Sequence, residues 1–105
     1  MTARERLPNR RANATFELEV GNLHYTATFS HFADGRVGEI FLQNHKADSQ
    51  ADAFARDSAI AASLALQFGC PLETLRNAVL RNADGKPSTP LGAALDQIAE
   101  QESAP

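Results

Sequence analysis

The sequence predicts an α+β domain in which a three-stranded antiparallel β-meander is followed by three helices packed on one face of the sheet. Two patterns support this fold class. Apolar and polar residues alternate from Thr15 to Gln43, as they do in half-buried strands. From Ser49 onward the apolar residues recur at helical spacing instead. The 105 residues are enough for one such domain with a single core.

The first two strands are predicted to form a hairpin around Gly21 and Asn22. A two-residue turn at this point places Val20 opposite Leu23. The same register places every apolar residue of the hairpin on one face, which is expected to face the core. These residues are Phe16, Leu18, Val20, Leu23, Tyr25, Ala27 and Phe29.

A second turn at Asp34-Gly35 is predicted to add the third strand. A two-residue loop there pairs Phe32 with Val37 and places both residues, with Phe41, on the otherwise polar outer face. Apolar clusters on an exposed face are typical of binding surfaces. The N-terminal arm, a second copy of the chain or a partner protein could cover this one, and we expect a homodimer or partner contact.

The first helix is predicted to begin at Ser49, with Asp52 completing a capping box, and to end at Gly69. Its apolar stripe is expected to face the core, where Leu64→Ala would cost about 2–5 kcal/mol. That stripe comprises Phe54, Ile60, Ala61, Leu64, Ala65 and Phe68.

Two shorter helices are predicted to follow. One begins after Pro71, and the other begins at Pro90 with Thr89 as its N-cap. A turn at Asp84-Gly85 lies between them. Their core-facing residues are expected to be Leu72, Leu75 and Val79 in the former and Leu91, Ala94, Leu95 and Ile98 in the latter.

Charge separates a basic arm (1–13) from the domain (14–100), and the residues after the last predicted helix are expected to form a flexible tail (101–105). The arm carries four arginines and one glutamate, whereas residues 14–105 carry six basic and twelve acidic side chains. The arm is either a solvated tail or a docking segment whose arginines bind phosphates or carboxylates, on a partner or on the domain itself. The net charge of −3 argues against duplex nucleic acid as the main partner.

No catalytic or metal-binding motif is recognisable. The glycines form neither a dinucleotide-binding nor a P-loop pattern. His24 and His31 are an odd number of residues apart on one strand, so they point to opposite faces, and His45 lies in a loop. The single Cys70 cannot form an intrachain disulfide. We therefore expect a cytoplasmic protein with no membrane partner, no enzymatic activity, no metal and no cofactor.

Several stretches resemble the TSCPD domain, which occurs at the C-terminal end of vitamin B12 (adenosylcobalamin)-dependent ribonucleotide reductases and as small stand-alone proteins. The similarity covers about residues 7–99, including the proline-containing basic segment before the first strand. The matching stretches are 34–42 (DGRVGEIFL), 46–49, 59–69 (AIAASLALQFG) and 71–73.

The motif that names the family, Thr-Ser-Cys-Pro-Asp, is incomplete in this chain. The matching residues are 87–91, of which only Ser88 and Pro90 agree with the family. Thr89 replaces the cysteine, which retains a helix cap but removes any thiol or metal role. His45 stands where the family has a glycine before the lysine. The reductases' catalytic cysteines and cobalamin site belong to a separate barrel domain that this chain does not contain.

The resemblance implies a non-catalytic accessory module linked to ribonucleotide reduction, which docks on a reductase chain or binds a nucleotide. Its candidate contacts are Arg10, Arg11, Arg36, Glu39 and Lys46. The alternative is a structural domain without a small-molecule ligand, which self-associates through Phe32, Val37 and Phe41.

Overall fold

The computed structural model describes residues 3–103 and confirms the predicted α+β fold, with three strands in the order β1-β2-β3 followed by three helices. Within these residues no helix is long and apolar enough to cross a membrane. The elements are β1 (Asn13–Val20), β2 (Leu23–His31), β3 (Val37–Asn44), α1 (Gln50–Gln67), α2 (Leu72–Ala78) and α3 (Pro90–Glu102).

The β1–β2 hairpin has the predicted register, with Val20 opposite Leu23 and Phe16 opposite Ala27. Gly21 and Asn22 both have positive φ, at 58° and 66°. This is the combination required by a two-residue turn that follows the twist of its strands.

The β2–β3 pairing departs from the prediction at its turn. A β-bulge shifts the register between Ser30 and His31, so Val37 lies opposite His31 rather than Phe32. A one-residue shift moves a side chain to the other face of the sheet. Phe32 and Val37 are consequently buried, at 4% and 7% exposure, and the prediction that they share the outer face with Phe41 is wrong.

Helix α1 has the predicted caps but buries a different face. The Ser49 hydroxyl accepts a hydrogen bond from the Asp52 N–H, and Gly69 ends the helix with φ 104°. The predicted stripe is largely exposed, Leu64 included. The buried residues are instead Asp52, Ala55, Ala59, Ala62, Ser63, Leu66 and Gln67.

The reason is that α1 lies along the free edge of β3. The Ser63 hydroxyl accepts from the Ile40 N–H (2.9 Å) and donates to the Ile40 carbonyl (3.0 Å). The Asp52 carboxylate and the Gln67 amide bond two further backbone groups of this edge, the N–H of Asn44 and the carbonyl of Gly38. Alanines between these polar residues allow the helix to approach closely, so its bulky apolar residues point outward.

The second half of the chain covers the inner face of the sheet. Helix α3 contacts β1 and β2, and its Ala94, Leu95 and Ile98 are fully buried. Thr89 caps α3 as predicted, with its hydroxyl accepting from the Gly92 N–H at 3.2 Å. The helix continues to Glu102, within the segment predicted as a tail, and residues 104–105 lie outside the described part.

Candidate functional site

The outer face of the sheet and the exposed side of α1 form the walls of a groove of about 800 Å³. It exists because α1 lies beside β3 and leaves the outer face of the sheet uncovered. Phe41 projects from β3 into the groove, next to Thr28 on β2. The lining residues are Arg4, Thr26, Thr28, Glu39, Ile40, Phe41, Leu42, Gln43, Arg56, Ala59, Ile60, Ser63, Leu64 and Gln67.

Three large apolar side chains of the groove are open to solvent. Phe41 is 50% exposed, Ile60 58% and Leu64 38%. We call these three residues the apolar patch. Contiguous apolar surface of this kind marks a binding site more often than isolated apolar residues do.

The N-terminal arm closes one end of the groove by folding back on the domain. The Glu5 N–H donates to the Gln67 carbonyl, and the Arg4 Nε donates to the Gln67 side-chain oxygen at 2.6 Å. Arg11 forms an ion pair with Glu39 at 3.0 Å. For residues 3–12 the structure therefore shows the arm folded back on the domain itself, where Arg11 binds the Glu39 carboxylate.

The cation on the α1 side of the groove is also paired. Arg56 contacts the Asp52 carboxylate at 2.8 Å. The hydrogen bond from Arg56, followed by the one from the Asn44 N–H, holds the pKa of Asp52 below its usual range. Arg56 thus has its positive charge balanced within the domain.

The predicted binding residues do not all come together. Arg11 and Glu39 meet beside the groove, but Arg10, Arg36 and Lys46 do not line it. Arg10 and Lys46 are exposed, and neither forms an ion pair within residues 3–103.

Arg36 has a structural role at the second turn. It forms ion pairs with Glu5 at 2.8 Å and Asp34 at 2.7 Å and covers the Phe32 ring, 4.8 Å from its centroid. Hydrogen bonds from the backbone N–H and the guanidinium of Arg36 lower the pKa of Asp34. Arg36 thereby joins the arm to the β2–β3 turn.

The histidines form no metal site in the described residues, where no three His, Cys, Asp or Glu side chains are grouped to hold an ion. His24 and His45 stack on the outer face, with ring centroids 6.0 Å apart. His31 contacts the Ala12 carbonyl and the Glu102 carboxylate. Through these two contacts His31 links the arm, the sheet and α3.

Sequence reasoning identified Phe41, Glu39 and Arg11 but missed the α1 side of the groove. Ile60 and Leu64 were assigned to the core because their spacing is helical. The available signal was the second stripe of α1, in which polar residues and alanines recur every three or four residues and so lie on one helix face. That stripe consists of Asp52, Ala55, Ala59, Ser63 and Gln67.

Comparison with known proteins shows similarity to vitamin B12-dependent ribonucleotide reductases. The chain is 46% identical to the enzyme of Agrobacterium fabrum over 70 residues and 40% identical to that of Bradyrhizobium diazoefficiens over 73 residues. It is 37% identical to that of Streptantibioticus cattleyicolor over 71 residues. These alignments cover 67%, 70% and 68% of this chain.

The alignments span only 6% of the first two reductases and 12% of the third. The chain therefore corresponds to a small part of the curated relatives that it matches. No family model and no solved structure matches it. The resemblance to the reductases inferred from the sequence is confirmed.

Proposed function

Because this chain is related to a small segment of vitamin B12-dependent ribonucleotide reductases, we propose that it is a non-catalytic accessory domain that docks on a reductase chain through the groove. The observation that carries this proposal is the apolar patch of Phe41, Ile60 and Leu64, which faces solvent between the sheet and α1. The match to one small segment of each reductase is compatible with a non-catalytic domain.

The chemistry of the groove favours a protein surface over a nucleotide. A nucleotide needs cations for its phosphates. Arg56 in the groove and Arg11 beside it are paired with Asp52 and Glu39, and Arg4, the other lining arginine, donates a hydrogen bond to the Gln67 side-chain oxygen. A phosphate would have to displace a carboxylate from Arg11 or Arg56, or the Gln67 amide oxygen from Arg4. An apolar side chain of a partner needs no such exchange, and its burial is favourable by about 25 cal/mol per Å².

The test is binding to a purified vitamin B12-dependent ribonucleotide reductase, measured by titration calorimetry. Phe41→Glu should weaken binding by about thirtyfold or more, because it places a charge in the centre of an apolar contact. Phe54→Glu is the matched control, since Phe54 is 65% exposed on α1 and lies outside the groove. Equal affinities of the two variants, or no binding by the wild-type chain, would refute docking through this groove.

Thermal melts test nucleotide binding in the same groove. A ligand present at about 100 times its Kd adds about 2.7 kcal/mol of stability, which shifts the Tm of a domain of this size by several degrees. Docking predicts no shift with ribonucleotides, deoxyribonucleotides or adenosylcobalamin. A shift that Phe41→Glu abolishes would replace the docking proposal with nucleotide binding.

A second candidate function is self-association through the same patch. The patch continues from β3 onto α1, so a second copy could bury it without any change in the fold. Light scattering separates this candidate from docking. If the wild-type chain is a dimer and Phe41→Glu is a monomer, the patch is a homodimer contact and docking requires another surface.

A further inference from the structure

Within residues 3–103, one edge of the sheet is covered by a helix and the other is not. The β3 edge is covered by α1, whose side chains bond its backbone at Gly38, Ile40 and Asn44. Within residues 3–103, no hydrogen bond reaches the β1 backbone from outside the hairpin. None of the eight residues of β1 is buried. An uncovered edge strand is a template for another strand.

The hairpin register defines which β1 groups point outward. Val20 and Leu23 flank the two-residue turn, so the N–H of each residue bonds the C=O of the other. The bonding alternates along the strand, which directs the N–H and C=O groups of every second residue away from β2. The outward-facing residues are Asn13, Thr15, Glu17 and Glu19.

Natural edge strands are protected by charged side chains, especially lysine, by proline, by a bulge or by a covering element, and the only charges on β1 are Glu17 and Glu19 on its outer face. β1 contains no lysine or proline, and its pairing with β2 is continuous from Asn13 to Val20. The strand therefore presents four N–H and four C=O groups in a regular array. Such an array is the backbone requirement for strand addition.

The β1 side chains indicate what an added strand should carry. Glu17 and Glu19 lie on the outer face, 72% and 57% exposed, and their nearest partners are the exposed rings of His45 and His24. Phe16, Leu18 and Val20 alternate with them as a half-buried apolar row on the inner face. An adjacent strand would place its own side chains beside both rows.

We propose that the β1 edge binds an extended segment of another protein in which basic and apolar residues alternate. The basic residues lie beside Glu17 and Glu19, while the apolar residues extend the row of Phe16, Leu18 and Val20. A second copy of β1 is the less favourable occupant, because antiparallel pairing of two copies would gather four glutamates on one surface. This site is the backbone edge of β1, whereas the groove lies on the outer face between β2, β3 and α1.

Amide hydrogen exchange followed by NMR tests the proposal directly. The probe is a blocked peptide of about eight residues in which lysine and valine alternate, matching the length of β1. Addition of the peptide should slow exchange of the Thr15, Glu17 and Glu19 amides by about tenfold or more, because they gain partners. Exchange at Phe16 and Leu18, which already bond β2, should change little.

Control peptides and variants separate backbone pairing from simple charge attraction. A peptide with the same composition but its lysines grouped together should give no alternating protection. Thr15→Pro removes one outward N–H and should weaken binding by about tenfold, whereas Thr15→Ala keeps that N–H and should not. Replacing Glu17 and Glu19 by lysine should also weaken binding, and the effect should diminish with salt.

Several outcomes would overturn strand addition. One is an absence of alternating protection in the wild-type chain, a result that does not depend on whether Thr15→Pro folds. Another is equal protection by the grouped peptide. Protection that grows with protein concentration in the absence of peptide would assign the edge to a second copy. Phe41→Glu should bind the peptide like the wild type, so failure of the groove proposal leaves this result unaffected.

Discussion

Asp96 is the carboxylate that joins α2, the following loop and α3. It accepts hydrogen bonds from Arg76 at 2.8 Å and from Arg81 at 2.6 and 2.9 Å. The hydrogen bond from Arg81 makes the largest contribution to the pKa of Asp96. Together with the contacts of Arg76 it outweighs the effect of partial burial and lowers this pKa to about 2. The folded state therefore favours the ionised carboxylate. Its contribution to stability is fully present above the unfolded pKa, near 3.9, and is lost as the pH falls towards 2.

We expect Asp96→Asn to lower the free energy of unfolding by about 1–2 kcal/mol at neutral pH, after allowance for solvent screening at this partly exposed site. The deficit should shrink as the pH falls to about 2, where the wild-type carboxyl also becomes protonated. Urea denaturation of both proteins at a series of pH values measures this difference in the free energy of unfolding. Asp57→Asn is the control, since Asp57 is exposed on α1 and forms no ion pair within residues 3–103. A pH-independent deficit would contradict the ion-pair explanation.

Gly38 is the β3 residue left without a partner on β2 at the β-bulge, and packing requires a glycine there. A Cβ at this position would lie 2.7 Å from Cζ of the Phe32 ring, and Phe32 is itself buried. Gly38→Ala should destabilise the domain by about 1–3 kcal/mol through overpacking. In the double variant with Phe32→Leu, a smaller side chain relieves this clash, so the alanine should cost less there. Thermal melts of the wild type, the two single variants and the double variant measure the energetic coupling between the two positions. Additive effects of the two substitutions on stability would contradict the clash.

At the scale of elements, α1 is held to β3 by polar contacts as well as by apolar packing. The Ser63 hydroxyl alone satisfies both the N–H and the C=O of Ile40. Ser63→Ala should cost about 1–3 kcal/mol, because it leaves buried backbone groups without partners. Leu64→Ala, its neighbour on the exposed side, should cost less than about 1 kcal/mol. Chemical denaturation distinguishes the two, and a larger loss for Leu64→Ala would place Leu64 in the core after all.

Elements with local signals were predictable from the sequence. The Gly21-Asn22 turn determines the hairpin register, and Ser49 and Thr89 mark the starts of α1 and α3 through side-chain caps. The bulge at Gly38 was not predictable, because it depends on where the Phe32 ring packs after the chain has folded.

The orientation of α1 was also missed, and with it half of the candidate site. Apolar periodicity is a guide to the buried face only when a helix packs through apolar side chains. α1 instead meets the edge of a strand, whose backbone groups need polar partners such as Asp52 and Ser63. This leaves Ile60 and Leu64 exposed in the groove, and of the three apolar residues predicted on the outer face only Phe41 is exposed there.

At the scale of the whole molecule, His31 connects the arm, the sheet and the end of α3. Its backbone N–H and its Nδ1 both bond the Ala12 carbonyl, at 3.0 and 2.8 Å, and its Nε2 contacts the Glu102 carboxylate. Burial alone would lower the pKa of His31, but these hydrogen bonds together outweigh it and hold the pKa above its usual value. The fold therefore favours the protonated ring.

The sign of the pH dependence follows from this raised pKa. The His31 contribution is fully present below the unfolded pKa, near 6.5, and is lost as the pH rises through the folded value. Glu102→Gln should consequently cost more stability at about pH 5.5 than at about pH 9, with an effect of about 0.2–1 kcal/mol for a partly exposed pair. Glu100→Gln on the same helix is the control, because Glu100 forms no ion pair within residues 3–103.

NMR titration of the His31 ring in the same two variants identifies the origin of the effect. Its pKa should fall in Glu102→Gln and stay at the wild-type value in Glu100→Gln, since only the former removes the carboxylate that contacts Nε2. The amide exchange of residues 3–12 should also accelerate in Glu102→Gln, because the ring then holds the Ala12 carbonyl less firmly. An unchanged arm with a lowered pKa would show that the arm is held by Arg11 and Glu5 without help from α3.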